Sequence, residues 1–232
     1  MATPALSVSG LTRRYGAVTA LAGIDLEVRP HEILGLIGPN GAGKTTLMAC
    51  IAGLEVPDQG QVQTANGAAR RDALFYLPDG VHPYPELRVA ALLALFAAAF
   101  GQGSDAARRV EAALGLAPVR AKLAGTLSKG YRRRLLLAVA LLAPQPLLLL
   151  DEPFDGLDLH QVRSVVALLR RLPAAGRTLL LSIHQLKDAE RVCDRFALLA
   201  EGRLLGVGNL PELLVQAGLS EGGLEEVFLA LT

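Results

Sequence analysis

The chain has 232 residues, of which 51% are hydrophobic, enough for a substantial core and against a disordered chain. A formal net charge of +1 gives no long-range field for nucleic acid. Cys50 and Cys193 both fall in apolar helical patterns and read as small buried hydrophobes, not a disulfide or metal pair.

In chain order, Leu6 to Val8 and Ile24 to Val28 are strand-like, joined by a loop holding Arg13, Arg14, Tyr15 and Gly16. Met1 to Pro4 carry no signal-peptide pattern and lead straight into the first strand. Ile33 to Ile37 is a buried strand, followed by a glycine-rich turn and a helix ending at Gly53. Pro57 to Gly60 is a turn, Gln61 to Thr64 a short strand, Ala73 to Leu77 another strand, and Val81 to Glu86 a proline-containing linker. From Leu87 to about Ala143 the pattern is helical: Val89 to Phe100, Asp105 to Leu114 with Ser104 as N-cap, a turn near Val119 to Leu123, then Gly130 to Ala143.

Strands return at Leu147 to Leu150 and Thr178 to Ile183, separated by a helix over Leu159 to Leu172. Lys187 to Cys193 is helical, Phe196 to Ala200 and Leu204 to Val207 are strands, and two short helices close the chain, the first capped by Asn209 with Pro211 in its opening turn. The apolar stretch Leu135 to Leu150 is broken by Pro144, Gln145 and Pro146 and is too short to span a bilayer. The whole is one domain over 1–232. It divides into a β subdomain plus parallel α/β core (about 1–86 and 144–232) and an inserted helical subdomain (about 87–143).

The turn Gly38-Pro39-Asn40-Gly41-Ala42-Gly43-Lys44-Thr45-Thr46, between a strand and a helix, meets the requirements of a phosphate-binding P-loop. Glycines let the backbone curl, so the N–H groups from Gly38 through Asn40, Gly41, Ala42 and Gly43 face one concave point. The helix behind adds its positive dipole end. Lys44 would reach the β- and γ-phosphates, the Thr45 hydroxyl would sit on Mg²⁺, and Thr46 would donate to a phosphate oxygen. The apolar run Leu147 to Leu150 delivers Asp151 and Glu152 at a strand's C-terminal end, where α/β sheets bind ligands. There Asp151 would hold Mg²⁺ and Glu152 would polarise an attacking water.

With these motifs in order, the chain resembles the ATP-binding cassette of ABC transporters over almost its whole length. Leu127-Ser128-Lys129-Gly130-Tyr131 stands at the family's Leu-Ser-Gly-Gly-Gln signature, Phe154 to Asp158 at its D-loop, and His184 at its switch histidine. Tyr15 matches the aromatic that stacks on adenine, and Asp79 holds the Q-loop position as a further candidate metal ligand. The resemblance implies a RecA-like P-loop core with an N-terminal antiparallel β subdomain and the helical insertion. It implies ATP and Mg²⁺ as ligands, and Glu152, His184 and Lys44 as catalytic groups. It also implies a second cassette, identical or a sister chain, whose P-loop would meet Ser128 and Gly130, with Asp158 nearby. Integral-membrane permease subunits would bind at the cytoplasmic face of the membrane, with export favoured and no nucleic acid partner.

Three features depart from the pattern or add to it. Lys129 and Tyr131 replace a Gly and a Gln of the signature, and Asp79 replaces a Gln, a shorter and anionic side chain. Arg132, Arg133 and Arg134 crowd a helix N-terminus, where cations oppose the dipole, so either a carboxylate compensates one of them or the turn is solvated. Val89 to Phe100 has no polar face; it reads either as the core of the insertion or as a helix partly covered by a membrane subunit. The rival reading is a soluble cassette ATPase working on nucleic acid or ribosomes, against which stand the near-neutral charge and the single cassette.

Overall fold

The computed structural model describes residues 3–232; Met1 and Ala2, read above as part of the lead-in to the first strand, lie outside the described residues. The chain opens with a hairpin of β1 (Leu6–Tyr15) and β2 (Val18–Val28). It is far longer than the two short strands its apolar residues suggest, because register shifts between Val8 and Leu11 and at Arg13/Arg14 break the alternation without ending the pairing. Tyr15 is therefore the last residue of a strand rather than part of a loop.

The apolar run Ile33–Ile37 forms β3, every residue buried, and leads through the glycine turn into α1 (Lys44–Ala52). Strand β4 (Gln59–Thr64) pairs antiparallel with β1, completing a three-stranded sheet in the order β2-β1-β4. A helical turn α2 (Arg70–Ala73) precedes β5 (Leu74–Leu77).

Three helices lie between β5 and the next strand: α3 (Val89–Ala99), α4 (Ser104–Ala113) and α5 (Lys129–Leu142). Gly103, not Ser104, is the N-cap of α4, and Ser104 begins the helix itself. Val89, Leu92, Leu93 and Ala97 of α3 are buried in the main apolar cluster. Its open side carries alanines and a half-exposed Leu95 (49%), so the unpatterned helix spends its large side chains on the core.

The remaining elements are β6 (Leu147–Asp151), α6 (Leu159–Leu169), β7 (Thr178–Ile183), α7 (Leu186–Val192), β8 (Arg195–Ala200), β9 (Arg203–Gly208), α8 (Leu210–Gln216) and α9 (Leu224–Leu231). Asn209 caps α8 with a reciprocal Glu212 contact and Pro211 in the first turn, as the sequence suggests. The large sheet runs β5-β6-β7-β3-β8-β9, parallel except where β9 folds back on β8.

Alternation along these strands divides the core in two. Ile33, Leu148, Leu150, Leu179 and Leu181 pack with the helical insertion, while Leu34, Leu36, Leu147, Leu149 and Leu180 pack with α1 and the small sheet. Each fully buried leucine contributes roughly 1.5–3 kcal/mol, so these near-unbroken apolar strands fix the sheet that carries the site. Among the described residues no helix is long and apolar enough to cross a membrane.

Candidate functional site

The register of the three central strands assembles the site. Asp151 of β6 lies beside Ser182 of β7, and Ile37 of β3 beside Ile183. The residues just beyond these ends are therefore neighbours: Glu152, His184 and the loop from Gly38.

Within that loop Gly41 (φ 83°) and Gly43 (φ 105°) occupy left-handed backbone that side chains resist. A Cβ on Gly38 would sit 2.1 Å from the Leu199 carbonyl oxygen of β8, so the loop must be bare where it crosses the sheet. No side chain caps α1, and no acidic residue stands in its first turn. Its first N–H groups and positive end are left for an external anion.

Lys44 begins α1 with its side chain only 7% exposed. Nζ donates to the carbonyls of Gly38 (2.7 Å) and Pro39 (3.2 Å), folding the lysine back over the loop. Burial lowers its pKa, opposed by the charges of Glu152 and Asp151.

Asp151 is 1% exposed, and its carboxylate accepts from the Ser182 hydroxyl and, at 3.4 Å, from Tyr76 OH. Burial, then the charge of Asp151, pushes the Tyr76 hydroxyl pKa up, so Tyr76 remains a neutral donor. Glu152 takes left-handed backbone (φ 49°), rare for a residue with a side chain. Its N–H is fixed by the Ser182 carbonyl (3.2 Å) and hydroxyl (3.0 Å). The turn aims its carboxylate at two nitrogens: Oε2 is 2.6 Å from His184 Nδ1, and Oε1 is 3.9 Å from Lys44 Nζ.

A cleft of about 440 Å³ opens beside Lys44 and Glu152, lined by Asn40, Gly41, Gly43, Lys44, Thr45, Thr46, Asp79 and Glu152, with Tyr15 at its rim; Asp151 and His184 stand just behind its lining, next to Glu152. The Tyr15 ring is backed by the Arg13 guanidinium 4.7 Å from its centroid, and Glu55 holds that arginine at 2.7 Å. An aromatic ring at the rim and the amides of the loop are the groups that would hold a base and its phosphates. Thr19, Ala20, Glu201 and Gly202 also line it. No motif marks them; Gly202 N–H on the Ala42 carbonyl (3.1 Å) brings the β8–β9 turn to the loop. Thr45 lines the cleft and Asp151 is buried behind it; both carry the hard oxygens Mg²⁺ takes, and the Asp151 carboxylate keeps free lone pairs beside its two donors.

Other predicted residues sit elsewhere. Ser128 and Gly130 do not line this cleft: Ser128 is the N-cap of α5, accepting from Tyr131 N–H at 3.4 Å, and a Cβ on Gly130 would meet Gln161 Oε1 at 2.9 Å. Asp158 also lies off the cleft; its carboxylate caps α6, accepting Gln161 N–H at 2.9 Å. The sequence reading sets Ser128 and Gly130 against the nucleotide of a second cassette, with Asp158 nearby, and not against that of their own chain. Lys129 of the variant signature pairs with Asp155 at 2.7 Å, and that ammonium lowers the Asp155 pKa. Asp79 lines the cleft, yet one of its oxygens is bound by Arg133, which weakens its reading as a metal ligand. The basic turn is thus compensated at Arg133.

Residues 21–155, more than half of the chain, match the family described as ABC transporter. The chain belongs to the ABC transporter family. It is 37% identical over 227 residues to Nod factor export ATP-binding protein I of Ralstonia nicotianae, covering 91% of this chain and 69% of the relative. It is 32% identical to the ABC-type transporter ATP-binding protein EcsA of Bacillus subtilis, covering 98% and 96%. A solved structure titled as the ATP binding subunit of an ABC transporter superposes with a TM-score of 0.89 at 32% identity, covering 99% of each chain. At 23% identity the fold alone is shared with the dimeric bacterial cassette MJ0796, with a TM-score of 0.78 over 88% of this chain and 98% of that one. Membership in this family makes the chain an ATP-binding, ATP-hydrolysing cassette, and the relatives' names support the transporter reading over the nucleic-acid or ribosome one.

Proposed function

We propose that this cassette powers export through separate membrane subunits, working as one half of a pair of cassettes at the cytoplasmic face. The convergence of Lys44 and Glu152 in the cleft, with His184 behind the Glu152 carboxylate, carries the reading. Adenine stacks on Tyr15, and the phosphates lie against the amides from Gly41 to Thr46. Lys44 leaves the Gly38 and Pro39 carbonyls for the β- and γ-phosphates. Thr45 and Asp151 would hold Mg²⁺, which would supply charge neutralisation.

Glu152 accepts a proton from water as the water oxygen bonds the γ-phosphorus. The bond from that phosphorus to the β–γ bridging oxygen breaks, the electron pair leaving with ADP. His184 holds the Glu152 carboxylate in line and meets the terminal phosphate. Ser128 and the amides at the start of α5, unable to reach their own cleft, complete the γ-phosphate of the second cassette. The name of the Ralstonia nicotianae relative, Nod factor export ATP-binding protein I, supports export.

The test is the mass of the Glu152→Gln protein in MgATP, where hydrolysis is blocked. A shift from one to two cassettes, abolished by adding Gly130→Asp, is expected. An unchanged mass, together with phosphate release by the Gly130→Asp chain equal to wild type, overturns the paired site.

A further inference from the structure

Arg133 is the fifth residue of α5, close to the end at which a cation opposes the dipole, yet its side chain is only 7% exposed. Such a burial requires partners. Nη1 donates to the Asp151 carbonyl at 3.3 Å, and Nη2 binds Asp79 Oδ1. Asp151 ends β6, directly before Glu152 of the cleft. Asp79 follows β5 and lines two spaces at once: the nucleotide cleft and a neighbouring groove of about 270 Å³ shared with Lys129, Arg132 and Arg133. A free carboxylate at that position would face the triphosphate across a short span, and like charges repel there more strongly than in water.

We infer that Arg133 is a positioning residue for nucleotide binding: it neutralises Asp79, holds that carboxylate off the phosphate path, and ties the loop after β5 to the end of β6. The inference rests on the triphosphate reading of the cleft. It assigns Asp79 to the arginine rather than to a metal. It also explains why an anion is tolerated at this position: the guanidinium that neutralises it comes from the signature helix, 54 residues further along the chain.

The experiment is a double-mutant cycle read as MgATP affinity by calorimetry on wild type, Arg133→Gln, Asp79→Asn and the double variant. Arg133→Gln weakens binding about tenfold, because it leaves an unpaired anion beside the phosphates. Asp79→Asn binds at least as tightly as wild type, and the double variant returns to within about threefold of it. Arg133→Lys, which keeps the charge, also stays within about threefold even if Arg133→Gln fails to fold. A double variant as weak as Arg133→Gln, or an Asp79→Asn protein that loses its Mg²⁺ dependence, overturns the inference. Failure of the wild-type chain to bind MgATP would instead remove the nucleotide reading beneath it.

Discussion

Glu152 Oε2 lies 2.6 Å from His184 Nδ1, a contact available only because Glu152 accepts left-handed backbone pinned by Ser182. Strain of this kind, costing about 1–3 kcal/mol, persists where the surroundings over-determine it. Here two hydrogen bonds to Ser182 fix the amide, so the carboxylate direction is set before any ligand arrives.

Glu152→Gln keeps the shape and loses the base. Phosphate release should fall by about 10²–10⁴-fold while ATP binding survives. His184→Ala should lower turnover as well, and adding it to Glu152→Gln should cost little more, because the two side chains act as one unit. Single-turnover phosphate release on the four proteins checks this; independent, multiplying losses would separate the pair.

Tyr15→Ala should raise the ATP KM about 5- to 150-fold, the equivalent of ~1–3 kcal/mol of base stacking, with kcat little changed. Tyr15→Phe keeps the ring over Arg13 and should stay near wild type. A KM series across Tyr, Phe and Ala decides whether the ring carries the base.

Gly38→Ala would place a carbon 2.1 Å from the Leu199 carbonyl, a clash between backbones that no rotamer relieves. A loss of several kcal/mol in unfolding free energy is expected, measured by urea titration. Wild-type stability in that variant would mean the loop does not cross β8 as described.

Lys44→Met should stabilise the nucleotide-free protein. The folded-state pKa of Lys44 lies below its unfolded value, so its ammonium form costs stability. The cost is fully present below the folded pKa and is relieved as pH rises from there toward the unfolded value, in the alkaline range. Removing it should raise Tm by about 2–4 °C per kcal/mol relieved, measured by calorimetry at neutral pH.

Much of this site is legible in the sequence because its parts are local. The turn from Gly38 to Thr46 carries its own backbone geometry and its own helix start, and Asp151 and Glu152 announce themselves at the end of a four-leucine run. The β1–β2 hairpin is under-read because bulges interrupt its alternation near Gly10 and Arg13. Long-range pairing is what the sequence hides. Glu201 and Gly202 enter the cleft through a hairpin that meets Ala42, and Arg133 finds Asp79 from 54 positions away. The crowding of three arginines at a helix start signals that a carboxylate is needed, without saying which.

Every role proposed for the cleft depends on a triphosphate binding in the amides behind Gly43 with Lys44 on its terminal phosphates. Calorimetric MgATP affinity of wild type against Lys44→Met, its fold verified by Tm, tests it most directly. Wild type should show clear magnesium-dependent binding, and the variant a loss of at least about 100-fold, ~2.7 kcal/mol. Equal affinity in the two proteins would contradict it.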